Sequence, residues 1–500
     1  MSIVSGAAVG PGTVEPEFDV VVIGAGVVGA AIARRLSHFD LRVVLVDSAS
    51  DVGAATSKAN TAILHTGFDA TPGTIEARLV REGNDLLRAY CQRAGIAVER
   101  TGALLTAWTP EQLHALPGLQ AKAENNGYLG CRPVGIGELR RLEPHLGPGA
   151  LGALAVPDEA IVDPWSPPIA FATEAVRNGV VLRLSTRVSA IERPGGGWCL
   201  RTSPVASVIR ARSVVNAAGL GSDVIDRLCR PDDALSGATR SGTPTHPRFT
   251  VTPRRGELIV FDKLARPLVH HILLPVPTTM GKGVLITPTV FGNVMLGPTA
   301  EDRLDRDDTS TSADGLAFLQ ATGRAVLPSL FDEEVTSTYS GLRAATEHAD
   351  YQLFAEGTYV CVGGIRSTGL TASMAIAEHV VALLDAAGVA GPERSPDELV
   401  GPADLGCPQL GEMMTRPFAD ASRIASDRSY GEVVCHCERV TRGEIRDACA
   451  SLIPATTLDG LRRRSRAMAG RCQGFHCLAT LAEMLSRSNG TSVDVLLGTP

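Results

Sequence analysis

The apolar positions of this chain fall into three kinds of run. The first kind is short, β-branched and apolar on both faces: FDVVVIG at 18–24, LRVVLVD at 41–47 and TYVCVGG at 358–364. A strand with no polar face suits a parallel sheet covered on both sides. VVGAAIARRLSHF follows the first of these runs and reads as a helix, and TASMAIAEHVVALL follows the last with apolar residues at helical spacing. RARSVVNAAGLGSD, ending at 223, carries a further strand into a glycine turn. The second kind breaks this βαβ pattern over residues 93–150 and 226–340. RRGELIVFD, HHILLPVP, GVLITPT and NVMLGPT are separated by Gly and Pro turns, the pattern of antiparallel strands, and SADGLAFLQATGRAVLP predicts a helix stopped by Pro328. The third kind is helical and begins near Tyr430. TRGEIRDACASL opens with Thr441 and has Glu444 three residues on, a capping-box signature. TTLDGLRRRSR and HCLATLAEML predict two more helices. Between 386 and 429, Pro, Gly and charge dominate, which predicts a linker.

The glycines after the first strand change this from a pattern into a site. In GAGVVG, Gly24 permits a tight turn, Gly26 lets a pyrophosphate approach the backbone, and Gly29 lets the helix lie close on the sheet. The amides of Val27 and Val28 open that helix and face the phosphate. Asp47 ends the second strand 23 residues after Gly24, where an acid bonds ribose hydroxyls. GPGALG at 147–152 has the same spacing but lacks a strand before it and a helix after it, so it reads as a turn. With one fingerprint only, the chain offers one dinucleotide site. The helix start at Gly369, Leu370 and Thr371 offers free amides and a positive dipole end, suited to the negative pyrimidine edge of a reduced flavin.

Five hundred residues exceed one core and imply two or three domains. A formal charge of −7 supplies no basic field for nucleic acid. No apolar run approaches the roughly eighteen residues of a spanning helix, and residues 1–17 read as a loose leader with no signal-peptide pattern. Eleven cysteines without an export signal suggest reduced thiols or ligands in the cytoplasm.

GAGVVG, GAATSKANTAILHTGFD, PVP at 275–277, NAAGLGSD and GGIRSTGLTASMAIAEHV together resemble the D-amino-acid-oxidase-type FAD superfamily. Within it they are most similar to FAD-dependent glycerol-3-phosphate dehydrogenases and L-2-hydroxyglutarate oxidases. The resemblance implies an α/β fold class: a discontinuous Rossmann-like FAD domain (18–92, 151–225 and 341–385) interleaved with an antiparallel-sheet α+β substrate domain (93–150 and 226–340). It also implies that Thr56, Ser57, Asn60, Val188, Ala218, Gly219 and Gly364 join the fingerprint residues around FAD.

Flavin accepts a hydride, so the protein must orient the carbinol carbon and take a proton. His65, after the loop that the family places beside the ring, is the first candidate, and His270 or His271 the second. An anionic substrate needs a cationic fork, for which Arg343 and Arg366 are the candidates; the alternative is an ion pair with Glu347 or Asp350.

Cys435 and Cys437 form C-x-C, and after 34 intervening residues Cys472 and Cys477 form C-x4-C. Four thiolates in two pairs suit a [2Fe–2S] rhomb, one pair per iron, with zinc as the rival. With VVCHCERVTRGEI and RCQGFHC, residues 430–500 resemble the bacterioferritin-associated-ferredoxin type of [2Fe–2S] domain. Cys449 reads as a core thiol. The arginines at 462–466, with Arg471, would offset the charge of a reduced cluster, or else form a solvated face.

These readings predict an FAD-dependent dehydrogenase of a small anionic secondary alcohol that passes electrons through a [2Fe–2S] centre. Glycerol 3-phosphate is the first choice of substrate. L-2-hydroxyglutarate, an amine or opine substrate, and a pure electron-transfer subunit are the alternatives. The expected partner is an acceptor protein or quinone-linked subunit, which could place the enzyme at the inner membrane.

Overall fold

The computed structural model describes residues 18–194, 197–230, 247–277 and 283–498. The expected leader, 1–17, lies outside them. Five parallel strands form the first sheet, in the order Val181–Arg183, Val43–Val46, Phe18–Ile23, Ser207–Asn216 and Tyr359–Gly363. Gln352–Glu356 closes one edge antiparallel. Val43–Val46 is buried throughout, as its unbroken apolar run requires. Ser207–Asn216 does two jobs. Its first half alternates buried and exposed residues and pairs with Trp198–Ser203, which pairs with Arg187–Glu192; its last four residues are all buried in the parallel sheet.

Helix Val27–Leu36 packs on this sheet. Small residues along it (Gly29, Ala30, Ala31, Ala33) admit the helices Ser166–Arg177 and Gly369–Ala386. Helix Ile75–Ala94 crosses Gly369–Ala386 at Gly83, where a Cβ would collide with the Thr371 carbonyl. Gly369–Ala386 is the described helix that comes nearest to a spanning segment. It has 18 residues and a mean hydropathy of 1.3, enough to cross a membrane by length and composition. Its apolar face lies in the core, with 56% of the segment buried inside the protein.

The second sheet has the order Val335–Ala345, Thr252–Phe261, Val294–Gly297, Leu285–Pro288, Ile272–Pro275, Ala103–Ala107, Gly152–Val156 and Arg132–Gly135. It is antiparallel except where Ile272–Pro275 meets Ala103–Ala107. That exception joins the chain's two separate visits to the sheet, which no hairpin connects. Gly152–Val156 pairs in this sheet although the expected boundary fell at 151, and Val335–Ala345 continues it past 341. Helix Ala313–Val326 covers it and ends before Pro328, as its sequence predicts.

The chain from 386 to 429 is laid along the surface, first on the FAD domain, then at Glu412 against the substrate sheet, and from Arg416 against the C-terminal unit. Arg394 Nη1 donates to the Asn178 carbonyl at 2.8 Å, and the Val400 amide donates to Asn178 Oδ1 at 2.8 Å. The C-terminal unit then has the hairpin Val433–Cys435 with Val440–Thr441 and the helices Arg442–Ala450, Leu458–Ser465, Leu478–Asn489 and Val493–Leu497. The capping box is formed: Glu444 Oε2 accepts from the Thr441 amide at 2.8 Å. Ile445, Leu461, Leu481 and Leu485 make a separate core, which includes Cys449 as expected.

Candidate cofactor and substrate sites

Strand Phe18–Ile23 delivers the chain into the turn at Gly24, whose φ is +106°; a Cβ there would lie 3.1 Å from Ala218 Cα. A Cβ on Gly29 would overlap the Gly24 carbonyl. These two positions therefore exclude side chains on steric grounds. Gly26 caps helix Val27–Leu36 without a side chain, and Ser57 Oγ accepts the Val27 amide at 2.9 Å. Asp47 Oδ2 accepts the Ala25 amide at 2.6 Å, and Oδ1 accepts that of Ala49 at 2.7 Å. Burial raises the Asp47 pKa and those two amides pull it back. Val188 packs beside Ile23 and Val46 on the sheet's other face. Gly219 opens a short turn at φ +54° after Ala218, and Gly364 (φ +69°) turns the chain after Tyr359–Gly363. Helix Gly369–Ala386 starts with no side-chain cap, and a Cβ on Gly369 would lie 3.7 Å from Val28 Cγ2. The structure thus brings together two helix starts whose own N-cap residues supply no side-chain cap, the first with its Val27 amide met by Ser57.

The loop before His65 is pinned to the strand that carries Arg343. Thr56 Oγ1 donates to the Leu342 carbonyl at 2.9 Å, and the Tyr339 hydroxyl donates to the Asn60 carbonyl at 2.9 Å. Ile63–Leu64 pairs antiparallel with Ala160–Val162, Leu64 opposite Ala160, so His65 falls opposite Glu159. His65 Nδ1 lies 3.2 Å from Glu159 Oε2. Glu159 is fully buried and also accepts from the Thr66 amide at 2.7 Å and hydroxyl at 2.9 Å. The His65 amide donates to Thr371 Oγ1 at 3.1 Å, which ties this segment to the helix start. His271 is held differently, with Nδ1 2.8 Å from the buried carboxylate of Glu143; the His270 amide donates to the same carboxylate.

Arg343 Nη2 donates to the Thr299 carbonyl at 2.8 Å, in space that Gly256 leaves open. No Arg343–carboxylate pair exists among the described residues. Burial, with Arg254 nearby, pulls its pKa down to about 10, the mark of a cation without a counter-ion. Arg366 is not its companion. Arg366 Nη2 lies 3.3 Å from Glu76 Oε2 and donates to the Ala349 carbonyl at 2.7 Å, so its acid is Glu76 and neither Glu347 nor Asp350.

The four cysteines meet in the C-terminal unit. Cys437 lies beside Cys472, and Cys435 beside Cys477, so each thiol of the first segment has a neighbour in the second. The amides of His476, Gly474 and Phe475 point at Cys472 Sγ and hold its thiol below the ordinary range. Two thiol pairs fit the two irons of a rhombic cluster.

Comparison with known proteins decides the family. The model described as FAD dependent oxidoreductase matches residues 19–383. The chain belongs to the FAD-dependent oxidoreductase family. The model described as BFD-like [2Fe-2S] binding domain matches residues 433–487 of this flavoprotein. A glycerol 3-phosphate dehydrogenase from Caloramator mitchellensis is 33% identical over 480 residues, 95% of each chain. The mitochondrial L-2-hydroxyglutarate dehydrogenase of Caenorhabditis elegans is 28% identical, over 68% of this chain and 77% of that one. The dithionite-reduced L-alpha-glycerophosphate oxidase of Mycoplasma pneumoniae, solved with FAD bound, superposes with a TM-score of 0.67 at 27% identity. It covers 74% of the flavoprotein and 95% of its own chain.

The cofactors are therefore FAD and a [2Fe–2S] cluster. The residues fit both: the glycine turn leaves a backbone cradle, and the cysteine loop aims three amides at a sulfur. Two features escaped the sequence reading. Glu159 was missed because only the register of a three-stranded sheet reveals it as the partner of His65. The arginines at 462–466 form neither a solvated face nor a shell around the cysteines alone, because Arg463, Arg464 and Arg466 are buried against the flavoprotein body.

Proposed function

We propose that this flavoprotein oxidises sn-glycerol 3-phosphate at C2 to dihydroxyacetone phosphate. It then passes the electrons singly through its C-terminal domain to an acceptor protein or quinone-linked partner. One observation carries the reading. The likeness to the Caloramator glycerol 3-phosphate dehydrogenase runs through the flavin, substrate and cysteine regions together. The buried Arg343, without a carboxylate of its own, supports an anionic substrate.

Gly24, Gly26, Gly29 and the Val28 amide would hold the FAD pyrophosphate, the Val27 amide being taken by Ser57 Oγ, with Asp47 on the ribose and the Gly369–Thr371 helix start at the flavin's negative edge. FAD, when bound, supplies the hydride acceptor. Arg343 anchors the phosphate group and thereby fixes where the carbinol C–H points. His65 takes the hydroxyl proton on Nε2 while Nδ1 stays on Glu159, which sets the tautomer and steadies the imidazolium that forms. Glu159 is a positioning residue, since it acts through His65. Arg366 would join the substrate only by leaving Glu76.

The test is an anaerobic panel of glycerol 3-phosphate, L-2-hydroxyglutarate and amino acids, read by flavin bleaching. Bleaching by glycerol 3-phosphate at concentrations where the others leave the colour unchanged supports the proposal. Bleaching by L-2-hydroxyglutarate alone would move the substrate to the dicarboxylate class.

A further inference from the structure

One short segment of the FAD domain, residues 47–60, faces both cofactor regions. On one side Gly53 N donates to the Ala25 carbonyl at 2.9 Å and Ser57 Oγ accepts from Val27, so the segment braces the dinucleotide turn. On the other it meets the C-terminal unit. Arg464 Nη1 and Nη2 each lie 2.7 Å from a different oxygen of Asp51, and Arg463 Nη2 bonds the same carboxylate. Thr456 Oγ1 reaches the Ser50 carbonyl at 3.4 Å, and Lys58 Nζ pairs with Asp459 at 3.1 Å. Asp51, Arg463 and Arg464 are each at most 5% exposed.

The contact continues onto the substrate sheet. Arg466 lies over the Phe291 ring at 3.9 Å and donates to Asn293 Oδ1 at 3.2 Å. Lys263 pairs with Glu438, the neighbour of Cys437, at 3.1 Å, and Arg471, the neighbour of Cys472, pairs with Asp262 at 2.8 Å. At its centre the pairs are out of water, and opening it would break the bidentate Arg464–Asp51 contact and uncover the Phe291 ring under Arg466, while Lys58–Asp459 and Arg471–Asp262 lie at its more exposed rim. A domain that swung to meet its acceptor would carry exposed, weakly paired contacts instead.

We propose that Asp51, clasped by Arg463 and Arg464, is the positioning residue that holds the [2Fe–2S] domain in one pose on the FAD domain, so that electrons cross between fixed sites. This rests on the relay reading above. One oxidised substrate gives up a hydride, two electrons and a proton, and its hydroxyl proton goes to the base. A [2Fe–2S] centre takes one electron at a time, so the pair leaves in two passages, each ending on a one-electron acceptor, ferricyanide in the assay.

The experiment compares unmodified protein, Asp51→Ala and Asp51→Asn, all loaded with both cofactors. It reads hydrogen exchange in helix Leu458–Ser465 and, by stopped flow with glycerol 3-phosphate, flavin bleaching and cluster reduction separately. In Asp51→Ala, exchange should accelerate at least tenfold and cluster reduction slow at least tenfold, with flavin bleaching within twofold of normal. Asp51→Asn, which keeps the shape and loses the charge, should lie between and covers the case in which Asp51→Ala does not fold. Unchanged exchange and unchanged cluster reduction in both variants would overturn the clasp. If substrate bleaches the flavin but never reduces the cluster of unmodified protein, the relay reading fails instead, and exchange alone judges the docking.

Discussion

Asp47 and Asp51 lie on one loop, four residues apart, and both are largely out of water. Backbone amides make the hydrogen bonds to Asp47, with Arg187 only a more distant charge; burial lifts its pKa, and its oxygens still face the dinucleotide turn. Burial would lift Asp51 as well, but Arg464 and Arg463 outweigh it and hold the carboxyl below its usual value. The difference separates two kinds of site. A carboxylate met only by amides keeps lone pairs for a ligand's hydroxyls. One closed off by two guanidiniums is spent on holding structure. The same contrast distinguishes Arg343, a buried cation whose partner is a carbonyl, from Arg366, whose partner is Glu76.

If the dinucleotide turn is as tight as its geometry implies, Gly29→Ala should have the largest effect. The added methyl has nowhere to go against the Gly24 carbonyl, the strain is at least about 3 kcal/mol, and protein purified from this variant should lack FAD colour. Cys437→Ser probes the other site. It should lose the cluster's absorption and ferricyanide turnover through it, yet keep FAD and substrate-driven bleaching; loss of bleaching as well would show that the two sites are not separable. Arg343→Met should keep both cofactors and raise the glycerol 3-phosphate KM about 100-fold, the loss of a charge-assisted pair worth about 3 kcal/mol. Arg366→Ala should change KM less than threefold if Glu76 is its true partner, measured in the same assay. The acid response is the smallest and most specific. Because the Asp51 pKa is depressed, its clasp is at full strength above about pH 4, the unfolded value, and fades as pH falls through the lower folded value. Exchange in helix Leu458–Ser465 should therefore rise only below about pH 4.

The parts that could be read from the chain are those where neighbours in sequence do the work. FDVVVIGAGVVG states a strand, a turn and a helix in twelve residues, and Thr441 with Glu444 states a helix start. What could not be read depends on register or on surfaces meeting. Glu159 reaches His65 only because two short strands pair with Leu64 opposite Ala160. Periodicity alone cannot distinguish RRRSR lying on water from RRRSR lying on Asp51, since Arg–carboxylate contact leaves no hydrophobic trace. The apolar helix Gly369–Ala386 shows the converse: composition alone suits a bilayer, and its place between two other helices explains that composition otherwise.

The two-site account stands most directly on the order of events after substrate is added. Anaerobic glycerol 3-phosphate should first bleach the flavin band of the unmodified protein, and the electron paramagnetic resonance signal of a reduced [2Fe–2S] centre should follow. About two irons and two sulfides should be present per chain. A cluster signal that dithionite can raise but glycerol 3-phosphate cannot, in protein whose flavin has already bleached, would contradict it.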